Sequence, residues 1–132
     1  MIVLDTHALI WWVNGDALLK PSAKTAIEDT LTRDGSVLVS AISAWEIAML
    51  AQRGRIDLAM ALDEWLRAVD HIEGVAFVPI TAQLAAQSVV LPGDFHKDPA
   101  DRLIVALARE QNAVLVTADE KIQRYPHVRW AW

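Results

Sequence analysis

Four acidic side chains in this sequence stand where a folded chain could bring them together for chemistry. Asp5 and Asp119 each follow a short apolar run, Glu46 lies inside an apolar stretch, and Asp101 follows a loop rich in helix breakers. Carboxylates held close together raise one another's pKa values unless a cation offsets their charge. Because the chain has no Cys or His cluster, oxygen ligands would select a hard ion such as Mg²⁺ or Mn²⁺. Such ions activate water for displacement at phosphorus.

Each of these acids also has a simpler interpretation as part of a helix cap. Asp5 could be an N-cap, and three pairs have capping spacing: Ser43 with Glu46, Asp98 with Asp101, and Thr117 with Glu120. Capping alone does not explain why carboxylates follow apolar runs repeatedly, nor why Glu46 lies in an apolar helix. The joint pattern therefore favours a shared site, with capping of the first helix left to Thr6.

The elements that must position these acids are strands alternating with helices. Ile2–Leu4 is apolar throughout, which is typical of a parallel strand covered on both faces. Alternating elements of this kind predict an α/β fold with a parallel sheet, in which ligands bind beyond the carboxyl ends of the strands. We predict further strands at 37–39, 75–78 and 113–116, and an edge strand at 128–132. We predict helices after Thr6 through 13, from 21, and at 41–53, 58–72, 82–88 and 100–111, with a short turn ending at 123.

The third predicted helix has one ionisable residue, Glu46, among apolar neighbours. Nearly every residue from 41 to 52 is apolar, so the sequence predicts a helix that is buried on almost all sides. An unpaired carboxylate in that setting would cost several kcal/mol. Glu46 therefore needs a partner, a metal ion or an opening to water.

Length and composition place the chain among single-domain proteins, with one domain over residues 1–132. Hydrophobic residues make up 54% of the sequence, so we expect apolar surface to remain after the core is filled, which favours a homodimer or a permanent partner. No signal peptide or membrane span is evident, and the absence of cysteine fits a reducing cytoplasm.

The net charge of −5 at first argues against a nucleic-acid partner. Removing the four candidate ligands from the 17 acids leaves 13, against 12 Lys plus Arg, so the charge does not decide the question.

Four segments together resemble the PIN domain, specifically its VapC-type toxin ribonucleases. They are LDTHALIWW (4–12), VSAISAWEIA (39–48), HKDPADRLIVALA (96–108) and VTADEKI (116–122), and they cover nearly the whole chain in order. The resemblance implies a PIN-like three-layer fold with a five-stranded parallel sheet flanked by helices. It also implies an endoribonuclease that depends on Mg²⁺ or Mn²⁺ and is inhibited by a VapB-like antitoxin.

The resemblance also assigns roles to individual residues. The acidic positions of the family match Asp5, Glu46, Asp101 and Asp119 as metal ligands and catalytic residues. Thr6 and Thr117 match positions that support the acids by hydrogen bonds, and Ser43 is a further candidate for a supporting side chain. Asp98 is either a fifth ligand or a helix N-cap, and the proline after it favours the cap.

Basic and polar residues beside the acids are candidates for contacting RNA phosphates. These are His7, His96, Lys97 and Arg102, of which we favour Lys97 or Arg102, although exposed loop residues need no such role. Two other functions stay open: a non-catalytic PIN-like binding module, and a phosphoaspartate phosphatase or receiver-like domain. The latter normally has a second Asp two residues after the first, whereas this chain has His7 there.

Overall fold

The computed structural model describes residues 1–132 as an α/β fold with five strands and seven helices. None of the helices is both long enough and apolar enough to span a membrane. The strands are β1 (Ile2–Leu4), β2 (Val37–Ser40), β3 (Val75–Val78), β4 (Val114–Val116) and β5 (Trp130–Ala131). The helices are α1 (Thr6–Asn14), α2 (Pro21–Thr32), α3 (Ala41–Gln52), α4 (Leu62–Asp70), α5 (Ala82–Val89), α6 (Pro99–Glu110) and α7 (Glu120–Gln123).

The five strands form one parallel sheet in the order β3-β2-β1-β4-β5. β1 is central, and its three residues are buried, as expected for a parallel strand with helices on both faces. Leu4 is in register with Val39 on one side and with Val116 on the other. The carboxyl ends of β1, β2 and β4 therefore lie next to one another.

Alternate residues along β1 pack into different hydrophobic clusters, because successive side chains of a strand point to opposite faces. Ile2 and Leu4 join the larger cluster with residues of α1, α2, α3 and α4. Val3 joins the other cluster with residues of α5, α6 and α7. The sheet is thus the middle of three layers, which confirms the predicted fold class.

Local signals at the helix ends account for most of the element boundaries. Gly15 ends α1 in the left-handed conformation at φ 65°, which favours glycine at this position. Ser40, Thr81 and Asp98 cap α3, α5 and α6 with their side-chain oxygens.

The cap of α1 differs from the prediction. Asp5 is the N-cap, because its Oδ1 accepts a hydrogen bond from the Thr6 amide at 2.9 Å. The Thr6 hydroxyl instead reaches across to α3, 2.5 Å from a Glu46 carboxylate oxygen. The same carboxylate that caps α1 therefore also stands at the candidate site.

Two helices also differ from the sequence prediction. α3 buries only Ser43 and Ile47, while Trp45 is 56% exposed. The helix was predicted to be buried on almost all sides, but its outer face has no element of this chain over it. α4 begins at Leu62 rather than residue 58, and Leu58 packs into the core from the irregular segment before the helix.

Candidate active site at the carboxyl edge of the sheet

Parallel pairing brings the predicted acids to one edge of the sheet. The Asp5 amide donates to the Val116 carbonyl at 3.0 Å, so the residues after β1 and β4 run side by side. Glu46 follows β2 on α3, and Asp101 lies in the first turn of α6. Burial first, and then the charges of Asp5, Asp98, Asp119 and Glu46, raise the pKa of Asp101, so the four carboxylates lie within electrostatic reach of it.

Asp5 is the most buried of these acids, with 9% of its surface exposed. Its Oδ2 accepts a hydrogen bond of 2.6 Å from the hydroxyl of Thr117, a buried residue at the end of β4. Burial raises the pKa of Asp5, while the hydrogen bonds from Thr117 and from the Thr6 amide oppose that rise. The two threonines therefore fix this carboxylate and favour its ionised form.

Glu46 is held by a short chain of hydroxyl groups. Because the single hydroxyl hydrogen of Thr6 is donated to Glu46, the Ser43 hydroxyl, 2.8 Å from that of Thr6, is the donor in that second contact. Burial is the largest cause of the raised pKa of Glu46, and the charges of Asp5 and Asp98 add to it. Glu46 thus has the partner that its apolar surroundings require.

Asp101 is the acid whose ionisation the surroundings oppose most clearly. Burial, followed by the charges of Asp5, Asp98, Asp119 and Glu46, raises its pKa from 3.8 to about 8. Its Oδ2 lies 3.0 Å from the buried Nε2 of His96, but the two groups do not form an aligned hydrogen bond. Asp101 is therefore largely protonated near neutral pH unless positive charge is added.

Asp98 and Asp119 each cap a helix at this edge. An Asp98 carboxylate oxygen accepts from the Asp101 amide at 3.1 Å, which is the N-cap that the following proline favoured. Asp119 caps α7 by accepting from the Lys121 amide at 2.8 Å. Its own amide donates to the Thr117 hydroxyl at 3.0 Å, so Thr117 joins Asp119 to Asp5. Capping uses one oxygen of each carboxylate and leaves the other free of protein hydrogen bonds.

Arg102 has a structural role that the sequence did not indicate. Its guanidinium group donates to the carbonyls of Ser88 (2.7 Å), Val89 (3.0 Å), Phe95 (2.9 Å) and His96 (3.1 Å). These bonds join the end of α5 to the loop that precedes α6. We expected Arg102 or Lys97 to contact phosphates, and the structure commits Arg102 to carbonyl groups instead.

The remaining polar residues lie at the rim of the acidic cluster. His7 is exposed on the first turn of α1, and its charge lowers the pKa values of Asp5 and Glu46. Lys97 is exposed beside the start of α6. Both are free to meet a ligand that approaches the acids. Trp45, on the helix that the sequence predicted to be buried on almost all sides, also lies at this rim, and nothing in the apolar sequence of α3 indicated its exposure.

The donor set fits a hard divalent cation in its chemistry. All the candidate ligands are carboxylates, and added positive charge would relieve the repulsion that raises the pKa of Asp101. The carboxylates do not form a ready-made ligand cage, because no three Asp, Glu, His or Cys side chains are grouped to hold an ion. Glu46 is turned toward Thr6 and Asp101 toward His96.

Comparison with known proteins identifies the class that this fold and edge site define. The family model of the PIN domain matches residues 2–128, and the chain belongs to this family. The chain is 40% identical to Ribonuclease VapC22 of Mycobacterium tuberculosis (strain ATCC 25618 / H37Rv) over 128 residues, which cover 97% of this chain and 94% of the relative. The resemblance to VapC-type proteins that the four segments indicated is thereby confirmed.

Solved structures of similar fold come from toxin–antitoxin complexes. A chain of VapBC2 from Rickettsia felis, bound to a promoter DNA fragment, superposes with a TM-score of 0.69 at 18% identity, covering 99% of this chain and 98% of that chain. A chain of DNA-bound VapBC from Salmonella typhimurium gives a TM-score of 0.66 at 18% identity, with coverage of 99% and 98%. At such identities the similarity establishes the fold.

Proposed function

We propose that this protein is a metal-dependent endoribonuclease and the toxin of a type II toxin–antitoxin pair. The observation that carries the proposal is the parallel pairing that puts Asp5 beside the residues after β4, with Glu46 joined to the same edge through the Thr6 hydroxyl. Burial and the neighbouring carboxylates raise the pKa of Asp101 there, which supports a site that takes up positive charge. A cation-binding nuclease site would explain why several carboxylates are kept together despite the free-energy cost of their mutual repulsion. The choice of RNA as substrate is supported by the 40% identity to a protein named as a ribonuclease.

Asp5, Glu46, Asp101 and Asp119 are the residues that would hold Mg²⁺ or Mn²⁺. When bound, the ion supplies an activated water and neutralises charge on the phosphate. The protein contributes the positions of the ligands, since Thr117 orients Asp5 and Thr6 orients Glu46 through hydrogen bonds of 2.6 and 2.5 Å. Hydrolysis by water would leave a 5′-phosphate and a 3′-hydroxyl, and Lys97 and His7 at the rim would meet flanking phosphates.

A VapB-like antitoxin is the proposed protein partner, and the cytoplasm, where an RNA substrate is found, is the proposed site of action. The antitoxin is supported by the complexes in which the similar structures were solved. We also propose a homodimer, because exposed apolar side chains such as Val89 (73%) and Val90 (74%) offer surface for a second copy.

Cleavage of RNA by the purified chain tests the proposed activity. Protein separated from any antitoxin should cut a structured RNA in Mg²⁺, and EDTA should stop the reaction. Asp5→Asn should abolish cleavage while keeping the fold, because asparagine caps helices as well as aspartate does. Asp29→Asn, at an exposed position on α2, is the matched control and should stay active.

Other outcomes would point to the other functions. Cleavage that survives EDTA, or an active Asp5→Asn variant, would contradict the metal site. RNA binding without cleavage would indicate a non-catalytic module. Transfer of a phosphoryl group to Asp5 from a small phosphodonor would indicate the phosphoaspartate class.

A further inference from the structure

The outer face of α3 carries apolar side chains that this chain does not bury. Trp45 is 56% exposed and Ile80, before α5, is 37% exposed. Neither of them, nor Met49 one helical turn after Trp45, belongs to the two hydrophobic clusters. An exposed indole with no packing role contributes little to the stability of the fold, so it is a candidate for contact with a ligand.

These side chains line a groove that is continuous with the acidic site. The groove has a volume of about 500 Å³, and its walls include Glu46 and Asp98. Apolar groups form most of its lining, among them Ile42, Trp45, Met49 and Ile80. A ligand in the groove therefore lies directly beside the carboxylates.

We propose that this groove binds the base of a nucleotide next to the cleaved phosphodiester, stacked on the indole of Trp45. The inference rests on the proposed ribonuclease function and extends it to a substrate subsite. With the phosphate at the acids, the flanking base is the uncharged, flat part of the same strand that can enter an apolar groove. Stacking on an aromatic side chain accepts any base and favours those that stack strongly.

The groove shares a wall with Glu46, and this position favours RNA over a protein as its occupant. The base and the phosphate of one strand occupy the groove and the acidic edge together. A second copy of the chain seated over Trp45 would instead cover Glu46 and restrict access of a polymer to the acids. A purine should bind better than a pyrimidine, since its larger ring system stacks more strongly.

The test uses RNA oligonucleotides that carry a cleavage position mapped with the wild-type protein. One substrate is intact, and in two others the base on the 5′ or the 3′ side of that position is replaced by an abasic ribose. Trp45→Ala should lower kcat/KM on the intact substrate by about 5- to 150-fold, mainly through KM. On the abasic substrate that lacks the stacked base, Trp45→Ala and the wild type should have equal kcat/KM values.

Two variants serve as controls for the stacking contact. Trp45→Phe keeps an aromatic face and should retain most of the activity. Trp130→Ala removes another exposed indole, on the edge strand β5 and 44% exposed, and should leave kcat/KM unchanged. Light scattering after gel filtration checks that the Trp45 variants keep the oligomeric state of the wild type.

Each other result would overturn the subsite. Equal cleavage of the intact RNA by wild type and Trp45→Ala would refute stacking while the ribonuclease function stands. An equal loss on intact and abasic substrates would show that Trp45 acts without a base. Dissociation of a dimer by Trp45→Ala would make the groove a subunit interface. If the wild type cleaves no RNA in Mg²⁺, the proposed function fails and the subsite fails with it.

Discussion

Replacing Asp101 by asparagine should stabilise the metal-free protein, and the gain should grow as the pH rises. The folded state holds a proton on Asp101 up to a pKa of about 8, whereas the unfolded chain loses it near 3.8. Between these values the folded protein binds more protons than the unfolded chain, so the stability of the wild type falls with rising pH. Asparagine carries no charge and avoids this loss.

The size of the effect follows from the pKa of Asp101 and from its surroundings. The full difference from 3.8 to about 8 corresponds to roughly 6 kcal/mol above pH 8. Repelling carboxylates move apart and water screens them, and the side chain is 18% exposed, so we expect about 2–3 kcal/mol. For a chain of this length that is about 10 °C in Tm. A gain of that size corresponds to a shift of about 1.5–2 pH units, so about half to two-thirds of it should remain at pH 5.

Thermal unfolding in EDTA at pH 5 and pH 8 measures this gain. Asp29→Asn is the control, because it removes an exposed carboxylate of α2 and should change Tm little at either pH. Added Mg²⁺ should raise the Tm of the wild type more than that of Asp101→Asn, since a ligand stabilises the state it binds. A lower Tm for Asp101→Asn at pH 8, or the same gain at both pH values, would refute the reasoning from burial and repulsion.

Three further substitutions test single contacts. Thr117→Val removes the hydrogen-bond donor to Asp5 and should raise the pKa of Asp5 further. The kcat/KM for RNA cleavage should therefore fall at pH 7 and recover partly at pH 9. A loss of kcat/KM that does not depend on pH would contradict this role of Thr117. Arg102→Lys gives up most of four hydrogen bonds to carbonyls and should cost about 3 kcal/mol in urea unfolding, whereas an unchanged midpoint would show that the guanidinium is dispensable. Gly15→Ala should cost about 1 kcal/mol through its backbone alone, because no atom lies within 4 Å of the added carbon at φ +65°; a cost above about 3 kcal/mol would indicate a clash.

Predictions from the sequence were most accurate where a structure depends on neighbouring residues. β3 was predicted at the residues where it occurs, and so was the cap that the proline after Asp98 favoured. A cap or a turn is formed within about four residues of the chain, so the residue types in that short segment predict it. The start of α4 was wrong because the chain makes a turn at the predicted start: Asp57 accepts a hydrogen bond from the Ala59 amide, and Ala59 has a φ of 60°.

The exposure of α3 shows what apolar composition leaves undecided. A helix of this composition could be buried within its own chain or could present a face to another molecule, and the residues are the same in both cases. Only the packing of the other helices decides that Ile47 is buried and Trp45 is not. The prediction of a buried helix failed for this reason.

The sequence by itself determined which acids would share an edge, because parallel strands that alternate with helices have their carboxyl ends on one side. The tertiary structure decided how each acid is held. Thr117 is 112 residues from Asp5 and Thr6 is 40 residues from Glu46, and no local pattern reports a hydrogen bond over such separations. The raised pKa of Asp101 could not be predicted from the sequence either. Burial and neighbouring charges cause it, and both depend on distances that exist only once the chain has folded.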